Sequence, residues 1–454
     1  GRSGLAVVRR LRMGGQDVDF FEKRRGGPDV DEAGAAGARR IEAVDEAAAT
    51  GYDVCMAAPG VPIDNPDLER LRRAGVEVIG EVEWVWRTVP GRYLGVTGTA
   101  GKGTVTTWLT LALDESGVEA VAGGNIDPAL AAVAQSGLTH VVELSSFQLE
   151  RCPTFAPDIA VILNLGEDHL DRHGSLAKYH AAKRNLLANL GPAQTLVING
   201  DDPVLEQWAR EASAAVLRFS LLPPTAAPVD AWLEPGSNTL YLHGAPLLKR
   251  DELRVRGDHN VANALAVALA ATAAGVDRPA LLSALRSFTG LPGRYAVAGR
   301  SRGITFIEDS IATRPLAVGA ALRSSERPLV WLAGGRSKGV DLASMRELVA
   351  ERVDMLVTYG ESGPELARAF ADVVPIEQCL QPDGREALAC AVASAVACLR
   401  SRHGGTGTIL LAPLAASFDQ FSDYAHRAEV FRQVVAAMSS PDSGRPARAD
   451  EAAS

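Results

Sequence analysis

Between Gly95 and Leu109 the chain reads Gly-Val-Thr-Gly-Thr-Ala-Gly-Lys-Gly-Thr-Val-Thr-Thr-Trp-Leu, a pattern that few folds accommodate. Tyr93, Leu94 and Val96 suit the end of a buried strand, and residues 105–113 continue as a helix. Between them, Gly98 and Gly101 let backbone N–H groups turn around an anion with no Cβ in the way. The helix N-terminus faces the same anion. Lys102 sets an ammonium where the β- and γ-phosphates of a nucleotide lie in a strand–loop–helix phosphate site. Gly98, Thr99, Gly101 and Lys102 are therefore the expected phosphate cradle. The residue after the lysine is Gly103, not the Ser or Thr whose hydroxyl reaches Mg²⁺, and Thr104 brings a hydroxyl one place later.

With 454 residues the chain exceeds one ordinary core, so two or three domains are expected. Hydrophobic residues make up 47% and aromatics only 5%, which suits helices packed on sheets, an α/β class, better than a β-sandwich. A net charge of −9 with interspersed signs argues against nucleic acid and for a small-molecule substrate. Cys55, Cys152, Cys379, Cys390 and Cys398 are odd in number and never spaced C-x-x-C, so they read as thiols of a reducing cytosol. The apolar stretch 261–276 is too short and too interrupted to span a bilayer, and no signal peptide is evident. A cytoplasmic monomer is expected. The chain opens on Gly1-Arg-Ser-Gly4, a turn that normally follows a strand, so a preceding strand is also expected.

From there the pattern runs helix (5–13), strand (18–21), helix (41–49), strand (52–56) and strand (76–79), the βα repetition of a parallel sheet. Glu22 sits just past a strand about twenty residues after the turn, where an acid bonds a ribose hydroxyl in dinucleotide folds, although from the residues alone a merely solvated carboxylate is the commoner reading. A linker is expected at 88–92. Asn125, in a glycine turn, offers an amide. Val141-Val142 delivers Glu143 to a sheet edge as a candidate Mg²⁺ ligand. Strand 159–163 ends in Asn164-Leu-Gly-Glu-Asp-His-Leu-Asp171, which adds His169 to the metal candidates. Lys183, in a basic helical stretch, reads from spacing alone as a solvated charge. Residues 221–249 give little pattern. Asn260 and Asn263, one turn apart at the entry to an alanine-rich helix, present paired amides suited to a purine edge. After a second linker at 289–294, strands at 304–307, 329–332, 355–358 and 408–411 alternate with helices in another open α/β sheet. The residues from 439 read as disordered.

Together Val96-Thr-Gly-Thr-Ala-Gly-Lys102, Gly124-Asn-Ile, Glu143-Leu-Ser-Ser-Phe-Gln-Leu-Glu150, Asn164 through Asp171, His259-Asn-Val-Ala-Asn-Ala-Leu265, Phe288-Thr-Gly-Leu-Pro and Ala416-Ser-Phe-Asp-Gln-Phe421 resemble the Mur amide ligases of bacterial cell-wall synthesis over nearly the whole chain. The Glu143 and Ser417 motifs resemble the D-glutamate-adding branch. The resemblance implies a Rossmann-like domain (1–89), a central P-loop ATPase-type α/β domain (90–289) and a C-terminal Rossmann-like domain (290–438), followed by the tail 439–454. It implies ATP and two Mg²⁺ ions as cofactors, with UDP-N-acetylmuramoyl-L-alanine and D-glutamate as substrates.

By the same resemblance Arg2, Ser3, Glu22, Arg24, Pro59, Gly60 and Asn125 contact the uridine nucleotide. Lys102 holds phosphates, while Glu143, His169 and a carbamylated Lys183 bind metal, with Thr104 a further candidate. Asn260 and Asn263 face adenine, Arg294 and Asp309 the phosphates and ribose, and Thr313, Lys338, Ser417 and Tyr424 D-glutamate. The chain departs from the family pattern at Ala100, Gly103, Gly293, Ile311 and Arg314. Ile311 removes a lysine charge that the family pattern places near the amino-acid pocket, and Arg314 is the candidate to supply it instead.

Overall fold

The computed structural model describes residues 1–23, 26–44, 49–224, 228–291, 293–337 and 339–439. Arg24, Lys338 and residues 440–454 of the expected tail lie outside the described residues. The chain divides into two compact units, Gly1–Arg254 with His259–Phe288, and Val255–Asp258 with Thr289 onward.

The first unit begins with helix Arg2–Met13, three residues earlier than its apolar pattern suggests. Two small parallel pairs follow, β1 (Asp19–Phe20) with β2 (Arg39–Arg40) and β3 (Val54–Met56) with β4 (Glu77–Ile79). The expected helix over 41–49 is corrected at 41–44, which are not helical, and its residues 45–48 are outside the described set. The main sheet has nine strands: β5 (Arg92–Thr97), β6 (Ala120–Gly124), β7 (Thr139–Glu143), β8 (Ile159–Ile162), β9 (Thr195–Asn199), β10 (Ala215–Ser220), β11 (Ala231–Glu234), β12 (Thr239–Leu242) and β13 (Ala245–Lys249). Their order is β13-β12-β11-β10-β9-β8-β5-β7-β6. All pairs are parallel except β11–β12 and β12–β13, an antiparallel meander in the stretch where sequence gave little pattern.

β5 lies between β7 and β8, so the chain leaves it toward one side of the sheet and later returns on the other. A crevice forms beyond the carboxyl ends of strands at such a switch point, and the glycine loop after β5 occupies it. Helix Lys102–Glu115 leaves that loop and is anchored by Trp108, whose Nε1 donates to the Ala284 carbonyl at 2.9 Å and whose ring stacks on Phe288 at 4.5 Å.

The second unit holds β14 (Ala296–Ser301), β15 (Ile304–Glu308), β16 (Leu329–Gly334), β17 (Met355–Tyr359), β18 (Ile376–Cys379) and β19 (Gly407–Leu411), ordered β14-β15-β19-β16-β17-β18 and parallel except at β14–β15. Alternate residues feed two cores. Ile304, Phe306, Val330, Leu332, Ile409 and Leu411 join one, while Ile307, Leu329, Trp331 and Leu410 join the other. A sheet covered on both faces requires such continuous apolar strands.

One cysteine expectation is corrected. Cys379, ending β18, is disulfide-bonded to Cys390 on helix Gly384–Arg402, with Cα atoms 5.9 Å apart. The pairing arises because that helix packs back on β18, which spacing alone does not reveal. Cys55, Cys152 and Cys398 are free thiols. Among the described residues no helix is long and apolar enough to cross a membrane.

Candidate active site

The loop after β5 takes the shape its glycines permit. Gly98 (φ 155°) and Gly101 (φ 83°) occupy backbone conformations that disfavour side chains. A Cβ on Gly101 would also lie 2.6 Å from Asn263 Oδ1. Asn164 braces the loop: its Oδ1 accepts from Ala100 N at 2.8 Å, and its Nδ2 donates to Ala100 O at 3.1 Å. Thr99 Oγ1 accepts from Gly166 N at 2.9 Å and bonds the Tyr179 hydroxyl at 3.2 Å. The loop after β8 is thereby tied to the phosphate loop.

Two lysines converge on this turn. Lys102 Nζ donates to the carbonyls of Gly98 (3.0 Å) and Thr99 (3.2 Å). Lys183 Nζ donates to the same Gly98 carbonyl at 2.8 Å. Lys183 is 1% exposed, which corrects the solvated-charge reading. Its helix, Leu176–Arg184, buries the face carrying Tyr179 and Lys183, four residues apart, and the ammonium sits 4.8 Å from the Tyr179 ring centroid. Burial lowers the Lys183 pKa well below the ordinary lysine value, and the Lys102 charge lowers it further, against Asp168 and Glu143. A neutral amine is the form that adds to carbon dioxide, so this environment suits the carbamylation implied for Lys183.

Glu143 ends β7 and is 2% exposed. Its Oε1 accepts from Asn125 Nδ2 at 2.7 Å, whereas Oε2 is buried with no hydrogen-bond partner among the described residues. An orphaned buried carboxylate oxygen costs free energy unless a cation or donor completes it. His169 holds a left-handed backbone (φ 52°) at the start of helix Leu170–His173, with its ring 4.9 Å from that of Phe147 and its Nε2 3.4 Å from Asp168 Oδ2. No three His, Cys, Asp or Glu side chains converge as a metal cluster among the described residues. Mg²⁺ commonly takes only one or two carboxylates, with phosphate and water completing its shell, so the orphaned Glu143 oxygen fits such an ion.

Asn260 and Asn263 are both 5% exposed and are linked, Asn263 Nδ2 donating to Asn260 Oδ1 at 3.2 Å. Thr104 is buried on the loop's helix. Elsewhere in this unit, Arg2 pairs with Asp127 at 3.0 Å, Ser3 hydrogen-bonds the buried Glu81, and the Glu22 carbonyl accepts from Arg40. Pro59 and Gly60 form the turn after β3. Tyr179 and the bracing of Ala100 by Asn164 were missed as functional features. For Tyr179, the spacing of four from Lys183 was the available signal.

In the second unit Asp309 follows β15, with Arg294 near enough to influence its charge. Burial raises the Asp309 pKa to about 7, helped by Glu308 and opposed by Arg294. Glu308 is fully buried and accepts from Gly293 N (2.9 Å) and Ser310 N (2.7 Å), so it fixes the residues flanking Arg294 and Asp309. Ser417 is buried, Thr313 is half-buried, and Tyr424 is 47% exposed with its ring beside Gly293.

Residues 96–271 match the model of the Mur ligase middle domain, and residues 293–406 match that of the Mur ligase glutamate ligase domain. The chain is 41% identical over 442 residues to UDP-N-acetylmuramoylalanine--D-glutamate ligase of Thermus thermophilus, covering 96% of each chain. It is 40% identical to the enzyme of that name from Deinococcus radiodurans, covering 98% of this chain and 92% of the relative. Among solved structures, MurF ligase from Thermotoga maritima in complex with ADP superposes with a TM-score of 0.60 at 18% identity, over 93% of this chain and 96% of that one. A pseudomurein peptide ligase type C from Methanothermus fervidus gives 0.61 at 17% identity, over 96% and 98%. These last two speak for the fold.

Proposed function

Because the chain belongs to the Mur ligase family, we infer that it is an ATP-dependent acid–amino-acid ligase of peptidoglycan precursor synthesis, joining D-glutamate to UDP-N-acetylmuramoyl-L-alanine. The observation that carries the chemistry is the convergence of Lys102 and the buried Lys183 on the Gly98 carbonyl, with Glu143 close enough to act on the Lys183 charge.

A free carboxylate is a poor acyl donor, and bound ATP with Mg²⁺ supplies its activation to an acyl phosphate. The loop N–H groups and Lys102 hold the phosphates and neutralise charge on the transferring group, with Gly98, Thr99 and Gly101 shaping the turn. Glu143, His169 and Lys183 as its carbamate are the residues suited to hold two Mg²⁺ ions, with Thr104 supplying a hydroxyl. Asn260 and Asn263 read the adenine edge, while Arg294 and Asp309 engage phosphate and ribose. Arg2, Ser3, Glu22, Arg24, Pro59, Gly60 and Asn125 hold the uridine nucleotide. Thr313, Lys338, Ser417 and Tyr424 orient D-glutamate so that its amine displaces phosphate from the acyl carbon.

The test is release of ADP and phosphate in the presence of ATP and Mg²⁺. Release that requires both UDP-N-acetylmuramoyl-L-alanine and D-glutamate is expected. No release at saturating Mg²⁺, with uridine-nucleotide binding intact, would mark a binding protein and overturn the assignment.

A further inference from the structure

Arg427 lies on helix Tyr424–Ser439 and is fully buried, yet makes no ion pair among the described residues. Main-chain oxygens and a serine hydroxyl hold its guanidinium instead. Nε donates to Ser310 Oγ at 2.9 Å and Nη2 to Ser310 O at 2.8 Å. Nη1 reaches Gly334 O at 3.4 Å, and Nη1 and Nη2 each reach Ala415 O at 3.3 Å. Charge-assisted hydrogen bonds from a planar fork carry direction as well as energy. The buried Glu308 carboxylate is near enough to feel this charge but does not pair with it directly, so the directed hydrogen bonds carry much of the cost of burying the guanidinium and point to a specific role.

The three acceptor residues begin three different loops. Ser310 follows β15, Gly334 ends β16 and Ala415 follows β19, and these strands are consecutive in the sheet as β15-β19-β16. Beyond Ser310 the chain reaches Thr313, beyond Gly334 it reaches Lys338, and beyond Ala415 it reaches Ser417. The approach at Gly334 is close enough that a Cβ on Gly335 would lie 3.1 Å from Nη1.

We propose that Arg427 is the positioning residue of the amino-acid subsite, setting the spacing of the three loops that grip D-glutamate without touching it. This rests on the ligase reading for the identity of the amino acid, but the loop tie itself does not. A lysine keeps the charge and loses the fork, so it can join one acceptor and not three.

The experiment compares wild type with Arg427→Lys and the milder Ser310→Ala, which removes only the acceptor of Nε. Steady-state constants for D-glutamate and for the uridine nucleotide substrate are measured, together with hydrogen–deuterium exchange of segments 309–314 and 414–421. Arg427→Lys is expected to raise KM for D-glutamate about tenfold, the effect of one charge-assisted hydrogen bond. KM for the nucleotide substrate should stay within about twofold, and both segments should exchange faster. Ser310→Ala should shift the same constants in the same direction by less, and it decides the matter if Arg427→Lys does not fold. Equal changes in both KM values, or unchanged exchange in both segments, would overturn the proposal. Wild-type protein that releases no ADP in response to D-glutamate would instead overturn the ligase reading, leaving the exchange result to judge the loop tie.

Discussion

Asn125 Nδ2 donates to Glu143 Oε1 at 2.7 Å and leaves the other oxygen of that carboxylate buried and unpartnered among the described residues. One oxygen is thus committed to aiming the group, and the other is the one a bound cation would complete. Glu143→Gln should lower kcat by about a hundredfold or more, as loss of a charge that stabilises the transferring phosphoryl group does. Asn125→Ala should cost about tenfold to a hundredfold, the effect of removing a partner that orients a ligand. Mg²⁺ titrations of ADP release check both, and wild-type rates in Glu143→Gln would refute its role.

Lys183 is expected to be active as its carbamate. Protein exchanged into carbon-dioxide-free buffer should lose activity and regain it with bicarbonate. Lys183→Met, similar in length but unable to carbamylate, should fall by about a hundredfold or more and ignore bicarbonate. Indifference of the wild type to dissolved carbon dioxide would show that the unmodified amine serves.

Gly101→Ala places a Cβ 2.6 Å from Asn263 Oδ1 on a residue with φ 83°. The left-handed conformation alone costs about 1–2 kcal/mol, and the displaced amide should weaken nucleotide binding further. Calorimetric titration with ATP should show at least about tenfold weaker binding, with a lower thermal midpoint.

The Asp309 carboxyl, raised from 3.8 to about 7 by burial and by Glu308, contributes stability that is full below its unfolded pKa and is lost as pH rises through the folded value. The stability of the wild type relative to Asp309→Asn should therefore decline between about pH 4 and pH 7 and level off above about pH 8. Thermal midpoints across that range check the sign. A difference that grows with pH would refute it.

Gly103→Ser adds the hydroxyl that phosphate loops of this kind direct to Mg²⁺. The Mg²⁺ concentration for half-maximal ADP release should fall severalfold. No change would assign that contact to Thr104 or water.

The phosphate loop was legible because its chemistry is local: glycines, a lysine and a helix start within ten residues. Glu143 stood out as a polar residue ending an apolar strand, and His169 as one in the polar cluster that follows another. Lys183 was not, since a basic helical run looks solvated until the face holding Tyr179 is known to be buried. Arg427 and the Cys379–Cys390 bond acquire meaning only when distant strand ends are brought together, and the β11–β13 meander has short strands with weak alternation. Spacing carries local geometry well, and pairing between distant segments poorly.

The glycines that close β16 define where the loop that follows this strand can be exchanged. A Cβ on Gly334 would lie 1.9 Å from the Tyr359 carbonyl oxygen, and one on Gly335 would lie 2.1 Å from that of Ala416. Neighbouring backbones already touch there, so the graft point for exchanged loops lies after Gly335. Libraries that vary the chain from Arg336 onward inherit a fixed platform, whereas those that begin two residues earlier break it.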